Sequence, residues 1–219
     1  MNNSEDVLVE FKKIFLEYNQ HTNLISKNDE KFLDEKHIFD SLAIGKFLDC
    51  HEFKNLLDIG TGGGFPAIPI SISKPDIFVL GVDSIQKKIN FINFVAEKLG
   101  LKNLQGLCSR TEELPKQYVE YFDVVTSRAV APLNIILEYA APYLKTGGYF
   151  VAYKSQTFET EIAQAKNAMK VLNFELKEII DYKLPLDENF ERKLIVLEKI
   201  DKTPAKFPRK AGMAKSNPL

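Results

Sequence analysis

The sequence contains few of the residues that specialised scaffolds and metal sites need. Two of its 219 residues are cysteine, three are histidine and none is tryptophan. Cys50 and Cys108 have no histidines at ligand spacing, so we expect neither a disulfide framework nor a metal site. No apolar run approaches the ~20 residues of a membrane span, and the polar N-terminus shows no secretory pattern. We therefore expect a cytoplasmic protein without membrane contact.

The charge is balanced overall but distributed unevenly along the chain. The net charge is −1, yet residues 202–219 carry five basic side chains and no acidic one. The rest of the chain carries 24 basic and 30 acidic residues. A basic tail on an acidic body suits an anionic partner such as a nucleic-acid backbone. A solvated, disordered C-terminus is the alternative interpretation.

The spacing of apolar residues predicts helices before residue 50 and a different rhythm after it. Residues 5–20 and 29–48 have helical periodicity. We expect an N-terminal helical extension over residues 1–50, a main domain over 51–201 and a basic tail over 202–219. A chain of this length, 45% hydrophobic, is sufficient for one well-packed domain.

Short apolar runs alternate with helix-length segments from residue 55 onward. Five β-branched or aromatic runs, beginning with "LLDIG" and ending with "YFVAYK", are separated by helical patterns such as Gln86–Leu99 and Pro132–Leu144 and by a shorter turn-rich segment near Pro66–Ser73. This alternation predicts an α/β fold with a parallel sheet. After a further helix near Phe158–Leu172 come two more runs, "FELKEIIDYKLP" and "RKLIVLEKI". They are joined by "LDENFE", which is too short for a crossover helix, so they must pair antiparallel.

The stretch "LLDIGTGGGFP" places four glycines directly after the first predicted strand. Glycines at this point let a ligand approach the backbone and allow positive φ angles. Asp83 ends the second strand, 23 residues after Gly60, where a carboxylate can accept from both hydroxyls of a ribose. We predict an adenosine-type ligand rather than a flexible loop. Phe65 stands where a nicotinamide fingerprint requires a third small residue.

The spacing D-x-G-x-G-x-G, from Asp58 through Gly60 and Gly62 to Gly64, resembles motif I of class I S-adenosylmethionine-dependent methyltransferases. The stretches "YNQHTNLIS", "KHIFDSL", "SRTEEL" and "TSRAVAPL" are similar to the GidB family of small-subunit ribosomal RNA methyltransferases. The resemblance implies a Rossmann-like, mostly parallel seven-stranded sheet with a reversed C-terminal strand. It also implies methyl transfer from S-adenosylmethionine to N7 of a specific guanine in 16S ribosomal RNA.

The resemblance also implies roles for individual residues. The residues expected to bind the cofactor are Gly60, Gly62, Gly64, Phe65, Asp83, Thr111, Glu112 and Arg128. Arg128 would also lie near the reacting centre as a positioning residue, with an ion pair as its alternative role. Thr111 and Glu112 also suit a helix N-terminus. Guanine N7 carries a lone pair and no proton, so we expect no general base. Phe65 and Tyr153 are candidates for stacking on the guanine.

Cations at strand ends are expected to hold the RNA. The predicted RNA-binding residues are His37, Arg110, Lys154, Arg192, Arg209 and Lys210. A surface pair of His37 with Asp40, or a hairpin salt bridge of Arg192, is the alternative. We expect deletion of residues 202–219 to weaken RNA binding and to leave cofactor binding unchanged.

Three functions remain open from the sequence. The first is a 16S ribosomal RNA methyltransferase that acts as a monomer on the RNA or the small ribosomal subunit. The second is a methyltransferase with a protein or small-molecule substrate. The third is a non-catalytic RNA-binding assembly factor that retains the fold. The intact glycine turn and Asp83 favour an enzyme over the third.

Overall fold

A computed structural model of the chain describes residues 4–155, 158–186 and 191–219. The α-helices are α1 (Ser4–Thr22), α2 (Lys27–Glu30), α3 (Asp40–Leu42), α4 (Gly45–Asp49), α5 (Ala67–Ser73), α6 (Gln86–Leu99), α7 (Leu133–Ala140), α8 (Phe158–Val171) and α9 (Met213–Ser216). The strands are β1 (Asn55–Ile59), β2 (Phe78–Asp83), β3 (Leu104–Cys108), β4 (Phe122–Arg128), β5 (Leu144–Lys154), β6 (Phe174–Lys183) and β7 (Glu191–Lys199). A π-helix covers Leu33–Phe39, and 3₁₀-helices cover Thr111–Glu113 and Lys116–Tyr118.

The seven strands form one sheet in the order β3-β2-β1-β4-β5-β7-β6. The first five strands are parallel, and β7 runs antiparallel to both of its neighbours, β5 and β6. The predicted α/β fold and its reversed C-terminal strand are therefore confirmed. The chain changes direction along the sheet between β1 and β4, and ligands of open α/β sheets bind at the carboxyl ends of the strands at such a switch point.

Two apolar clusters cover the two faces of the sheet because adjacent strand residues point to opposite sides. Leu56 and Val124 face a cluster that includes α5, α6 and the N-terminal helices. Leu57 and Val125 face a second cluster that includes α7 and α8. All four side chains are fully buried, which explains why the central strands are almost continuously apolar.

The predicted helix over residues 29–48 is wrong in detail. The structure has four short pieces in this part of the chain: α2, the π-helix, α3 and α4. A tertiary contact explains the irregularity, because the backbone oxygen of Lys36 accepts a hydrogen bond from Arg128 in β4 at 3.1 Å. Short π-helical stretches are frequent at functional sites. The turn-rich segment after the glycines is instead the regular helix α5.

The N-terminal helices share the core of the main domain. Phe11 and Phe15 of α1 are fully buried, and their rings pack against Phe65 of the glycine turn at centroid distances of 5.8 and 5.2 Å. Phe15 also meets Phe91 of α6 edge-to-face. The predicted extension thus covers one side of the strand that carries the glycines.

Residues 202–219 pack against the domain, so the interpretation of a solvated, disordered tail is wrong. Phe207 is 7% exposed and Ala214 is 2% exposed. The Thr203 hydroxyl donates to the backbone oxygen of Ala141 at 2.7 Å. Part of the predicted "LDENFE" turn, residues 187–190, lies outside the described residues. Among the residues that are described, no helix is both long and apolar enough to cross a bilayer.

Candidate functional site

Two cavities lie side by side at the carboxyl ends of the central strands. We call the larger one, about 750 Å³, the β4 cavity; its lining includes His37, Gly62, Arg128, Lys154 and Arg192. We call the smaller one, about 420 Å³, the β2 cavity; its lining includes Asp83, Arg110, Thr111, Glu112 and Gly212. All the predicted RNA-binding and cofactor-binding residues except Gly64, Arg209 and Lys210 thus line these two cavities.

The two cavities meet at the glycine turn. Gly60, Lys88, Ala129 and Val130 line both of them. Val130 covers Gly60, since a Cβ placed on Gly60 would lie 2.4 Å from the Val130 side chain. Gly60 and Ala129 have φ angles of +69° and +56°, so both segments adopt left-handed conformations where they touch. A ligand that spans both cavities must pass this contact.

The glycine turn is closed by Asp83. One carboxylate oxygen of Asp83 accepts from the backbone N–H of Gly62 at 3.1 Å and from Lys88 Nζ at 3.3 Å. The other oxygen accepts from the backbone N–H of Ile85 at 3.0 Å. Asp83 is 9% exposed and lines the β2 cavity. A carboxylate oxygen has more than one lone pair, so Asp83 can also accept hydroxyl groups of a ligand.

The glycines of the turn divide between two tasks. Gly62 has a φ of +57°, and a Cβ there would meet only a backbone oxygen at 3.8 Å, so its missing side chain leaves space on the cavity side. Gly64 lies outside both cavities, and a Cβ on it would come within 2.2 Å of Ile68. The missing side chain of Gly64 therefore permits close packing of α5. The prediction that Gly64 contacts the cofactor is corrected, because this residue lines neither cavity.

Asp58 lies beneath the turn and is fully buried. The Thr126 hydroxyl donates to one of its carboxylate oxygens at 3.0 Å, and the other oxygen has no partner among the described residues. Burial away from water disfavours the ionised form and raises the pKa of Asp58 to about 7. This residue was part of the sequence motif, but its burial was not visible there.

Arg128 connects β4 to the N-terminal helices. Its guanidinium donates to Asp40 at 2.9 Å, to the backbone oxygen of Lys36 at 3.1 Å and to His37 Nδ1 at 3.0 Å. It also lies over the ring of Phe65, 5.5 Å from the centroid. The ion-pair alternative for Arg128 is thus realised at the wall of the β4 cavity.

One ring nitrogen of His37 has no hydrogen-bond partner within the described part of the chain. Arginine only donates, so His37 Nδ1 accepts from Arg128 and the ring hydrogen of the neutral form is on Nε2. Nε2 is buried and has no partner among the described residues. Burial, followed by the nearby Arg128 charge, lowers the pKa of His37 to about 4, so the ring is neutral near pH 7. The alternative interpretation, a surface pair of His37 with Asp40, is wrong, because both residues contact Arg128.

Asp40, which the sequence did not single out as a site residue, organises this wall. It is 2% exposed and accepts from Arg128 on one oxygen and from the Tyr182 hydroxyl on the other, at 2.6 Å. Arg192 Nε lies 3.9 Å from the second oxygen. Burial, and then the charge of Asp40, raises the pKa of Tyr182. Arg192 therefore lines the β4 cavity beside Asp40.

Lys154 supports the loop that follows β4. Its ammonium donates to Glu161 of α8 at 2.6 Å and to the backbone oxygen of Ala131 at 3.2 Å. Glu161 also accepts from the backbone N–H of Leu133 at 3.0 Å, at the start of α7. These contacts hold the Ala129–Pro132 loop above the glycine turn.

Several predicted residues serve the fold in this structure. The Arg209 guanidinium forms a forked ion pair with Glu138, which is 2% exposed, so its prediction as an RNA contact is corrected. Phe65 is 4% exposed within the aromatic cluster, and the Tyr153 hydroxyl donates to the backbone of Ser41. Neither ring is free to stack on a base. Lys210 is exposed but lies outside both cavities.

The sequence did not indicate Lys88, Tyr139 or the tail residues Gly212 and Lys215, all of which line a cavity. Lys88 lies in the first turn of α6, five residues after Asp83 at the end of β2, so their contact depends on how the helix follows the strand. The tail residues are brought in by folding alone, and nothing local in the sequence indicates their position.

Solved structures that share this fold include methyltransferases. A 16S ribosomal RNA (adenine(1408)-N(1))-methyltransferase mutant from Catenulisporales acidiphilia matches with a TM-score of 0.57 at 16% identity, over 75% of this chain and 93% of that one. Geranyl diphosphate C-methyltransferase from Streptomyces coelicolor, solved with S-adenosylhomocysteine, matches with a TM-score of 0.57 at 16% identity, over 80% of this chain and 85% of that one. These likenesses show the fold.

The sequence comparisons show the family. The ribosomal RNA small subunit methyltransferase G of Clostridium kluyveri is 39% identical over 213 residues, which is 96% of this chain and 89% of that protein. Residues 4–194 match the family GidB, described as rRNA small subunit methyltransferase G. This span includes the glycine turn, Asp83 and Arg128. The chain belongs to the GidB family of small-subunit ribosomal RNA methyltransferases.

Proposed function

We propose that the protein transfers a methyl group from S-adenosylmethionine to N7 of a guanine in 16S ribosomal RNA. One observation carries this proposal: a glycine turn closed by Asp83 lies where two cavities meet, one that Asp83 and Glu112 line and one that Arg128, Lys154 and Arg192 line. Family membership supports the substrate class. The proposal places the protein in the cytoplasm, acting as a monomer on the RNA or the small ribosomal subunit.

The residues present suit S-adenosylmethionine. Asp83 would accept from the ribose hydroxyls, and Thr111 and Glu112 line the part of the β2 cavity suited to the adenine. Gly62 leaves space that any side chain would fill. When bound, the cofactor supplies a methyl group on a sulfonium, and the carbon–sulfur bond breaks as the carbon–nitrogen bond to the purine forms.

The protein's contribution to this reaction is positioning. Guanine N7 needs no deprotonation, so no residue has to take up a proton. Alignment of N7 with the methyl group and exclusion of water account for the rate. Arg128 holds the wall of the β4 cavity in place through Asp40 and His37. We propose no general base.

Transfer of a labelled methyl group tests the proposal. The protein is incubated with tritiated S-adenosylmethionine and either small ribosomal subunits, free 16S RNA, or a mixture of ribosomal proteins. We expect label in RNA. Label in protein would favour the second function derived from the sequence, and cofactor binding without any transfer would favour the assembly factor.

A further inference from the structure

The C-terminal segment is firmly anchored before it reaches the site. Phe207 is buried in the cluster beneath α7. Arg209 then forms its fork on Glu138 of α7, with Nε 2.8 Å from one carboxylate oxygen. Burial of a carboxylate this deep is costly unless it is paired, so the contact fixes where the segment lies.

The segment next enters the β2 cavity. The backbone N–H of Gly212 donates to a carboxylate oxygen of Glu112 at 3.0 Å. Gly212 and Lys215 line the cavity together with Asp83, Thr111 and Tyr139. The tail therefore supplies one wall of the space in which Glu112 and Asp83 are expected to hold the adenosine.

The local conformation is suited to this contact. Gly212 has a φ of +84°, which glycine adopts at little cost. The short helix α9 follows it, and Ala214 in this helix is 2% exposed. The buried methyl group of Ala214 anchors the turn to the rest of the protein. The position of the Gly212 N–H thus depends on the packing of Ala214.

We propose that residues 212–216 complete the cofactor pocket and position Glu112 for it. This inference rests on the proposed binding of S-adenosylmethionine. It reverses the expectation that loss of the tail spares cofactor binding, because the wall of the β2 cavity and the partner of Glu112 would both be removed. Gly212 and Ala214 act through Glu112 and are positioning residues.

A matched pair of substitutions tests this role in the full-length chain. Ala214→Asp places a charge at the buried position that anchors the turn. Ala211→Asp adds the same charge at an exposed position of the same segment. The dissociation constant for S-adenosylhomocysteine is measured by calorimetry. KM for S-adenosylmethionine, KM for small subunits and kcat are measured by methyl transfer.

We expect Ala214→Asp to raise the dissociation constant and the cofactor KM about tenfold, the loss of one charge-assisted contact. KM for small subunits and kcat at saturating cofactor should stay within about twofold of the unsubstituted protein. Ala211→Asp should behave as the unsubstituted protein. Equal cofactor affinity in the two variants, or a rise confined to the subunit KM, would overturn the inference.

Gly212→Ala keeps the test decisive if Ala214→Asp lowers the melting temperature. An added Cβ at Gly212 meets nothing within 4 Å, but the left-handed backbone is strained. Gly147→Ala, with φ +81° and equally open space, is its control. A rise in cofactor KM for Gly212→Ala alone supports the inference, and equal values for both contradict it. Failure of the unsubstituted protein to bind S-adenosylhomocysteine would instead contradict the proposed function.

Discussion

Single residues at the edge of the two cavities stabilise the fold and also line the proposed site. Asp83 accepts three hydrogen bonds from the protein, including one from Gly62, and still lines the β2 cavity. Arg128 likewise holds three partners while it lines the β4 cavity. For a substitution of either residue, the effect on the stability of the protein must therefore be measured together with the effect on its function.

Asp83→Ala should weaken cofactor binding strongly. Each hydrogen bond from a ribose hydroxyl to a charged acceptor contributes about 1.5–3 kcal/mol, so loss of two should lower affinity by more than about a hundredfold. Calorimetry with S-adenosylhomocysteine measures the effect. Asp181→Ala is the control, since Asp181 lies on the edge strand β6 and pairs with Lys193. Unchanged affinity in Asp83→Ala would refute the ribose assignment.

The neutral His37 ring predicts a specific pH dependence of stability. Burial lowers its pKa from 6.5 to about 4 in the folded protein, so between these values the unfolded chain binds the additional proton. The free energy of unfolding should therefore decrease as the pH falls from 6.5 toward 4.

His37→Gln isolates this contribution, because glutamine offers Arg128 an acceptor and does not titrate. Urea midpoints of the two proteins should converge as the pH is lowered from about 7 to 5. Parallel pH profiles of the two proteins would show that His37 is not the group responsible.

Secondary-structure elements at the site differ in how far the sequence predicted them. The glycine turn and the strand ending at Asp83 were predicted because their signals, an apolar run, glycines and an acid, are local. The π-helix was not, because it depends on Arg128, which is 92 residues away from Lys36 along the chain. The tail was assigned to RNA from its charge, and its packing on Glu138 depends on a contact across 71 residues.

The glycine turn gives a prediction at the scale of the element. Gly62→Ala and Gly147→Ala each place a Cβ in a left-handed backbone with no close protein neighbour. Both should lower stability by about 1 kcal/mol. Only Gly62→Ala should also weaken cofactor binding, because its added methyl group enters the space of the ligand. Equal cofactor affinity in the two variants would show that the turn does not contact the cofactor.

At the scale of the whole molecule, charge is concentrated where the strands end. The protein has a net charge of −1, yet Lys36, Lys88, Arg128, Lys154 and Arg192 all line the β4 cavity. Three of these cations form ion pairs within the protein: Lys88 with Asp83, Arg128 with Asp40 and Lys154 with Glu161. The sequence predicted Arg128, Lys154 and Arg192, whereas the place of Lys36 and Lys88 and the internal partners became known only from the fold.

Arg110 is exposed and lines the β2 cavity. It forms no ion pair with any described residue, so its substitution removes a charge without breaking such a pair. Arg110→Met should weaken binding to 16S RNA and reduce the slope of log affinity against log salt by about 0.7–0.9. Lys102→Met, at the other end of the same strand β3, should change neither the affinity nor the slope. Fluorescence titrations at several salt concentrations measure both slopes. Identical slopes for the two variants would remove Arg110 from the RNA interface.

The position of the transferred methyl group tests the central claim most directly. N7-methylated guanine is cleaved selectively after borohydride reduction and aniline treatment, so 16S RNA from treated small subunits can be mapped by primer extension. We predict one cleavage site at a single guanine, absent when S-adenosylmethionine is omitted and absent with the Asp83→Ala protein. Methyl transfer to RNA without any such cleavage site, or to adenine, would contradict the account.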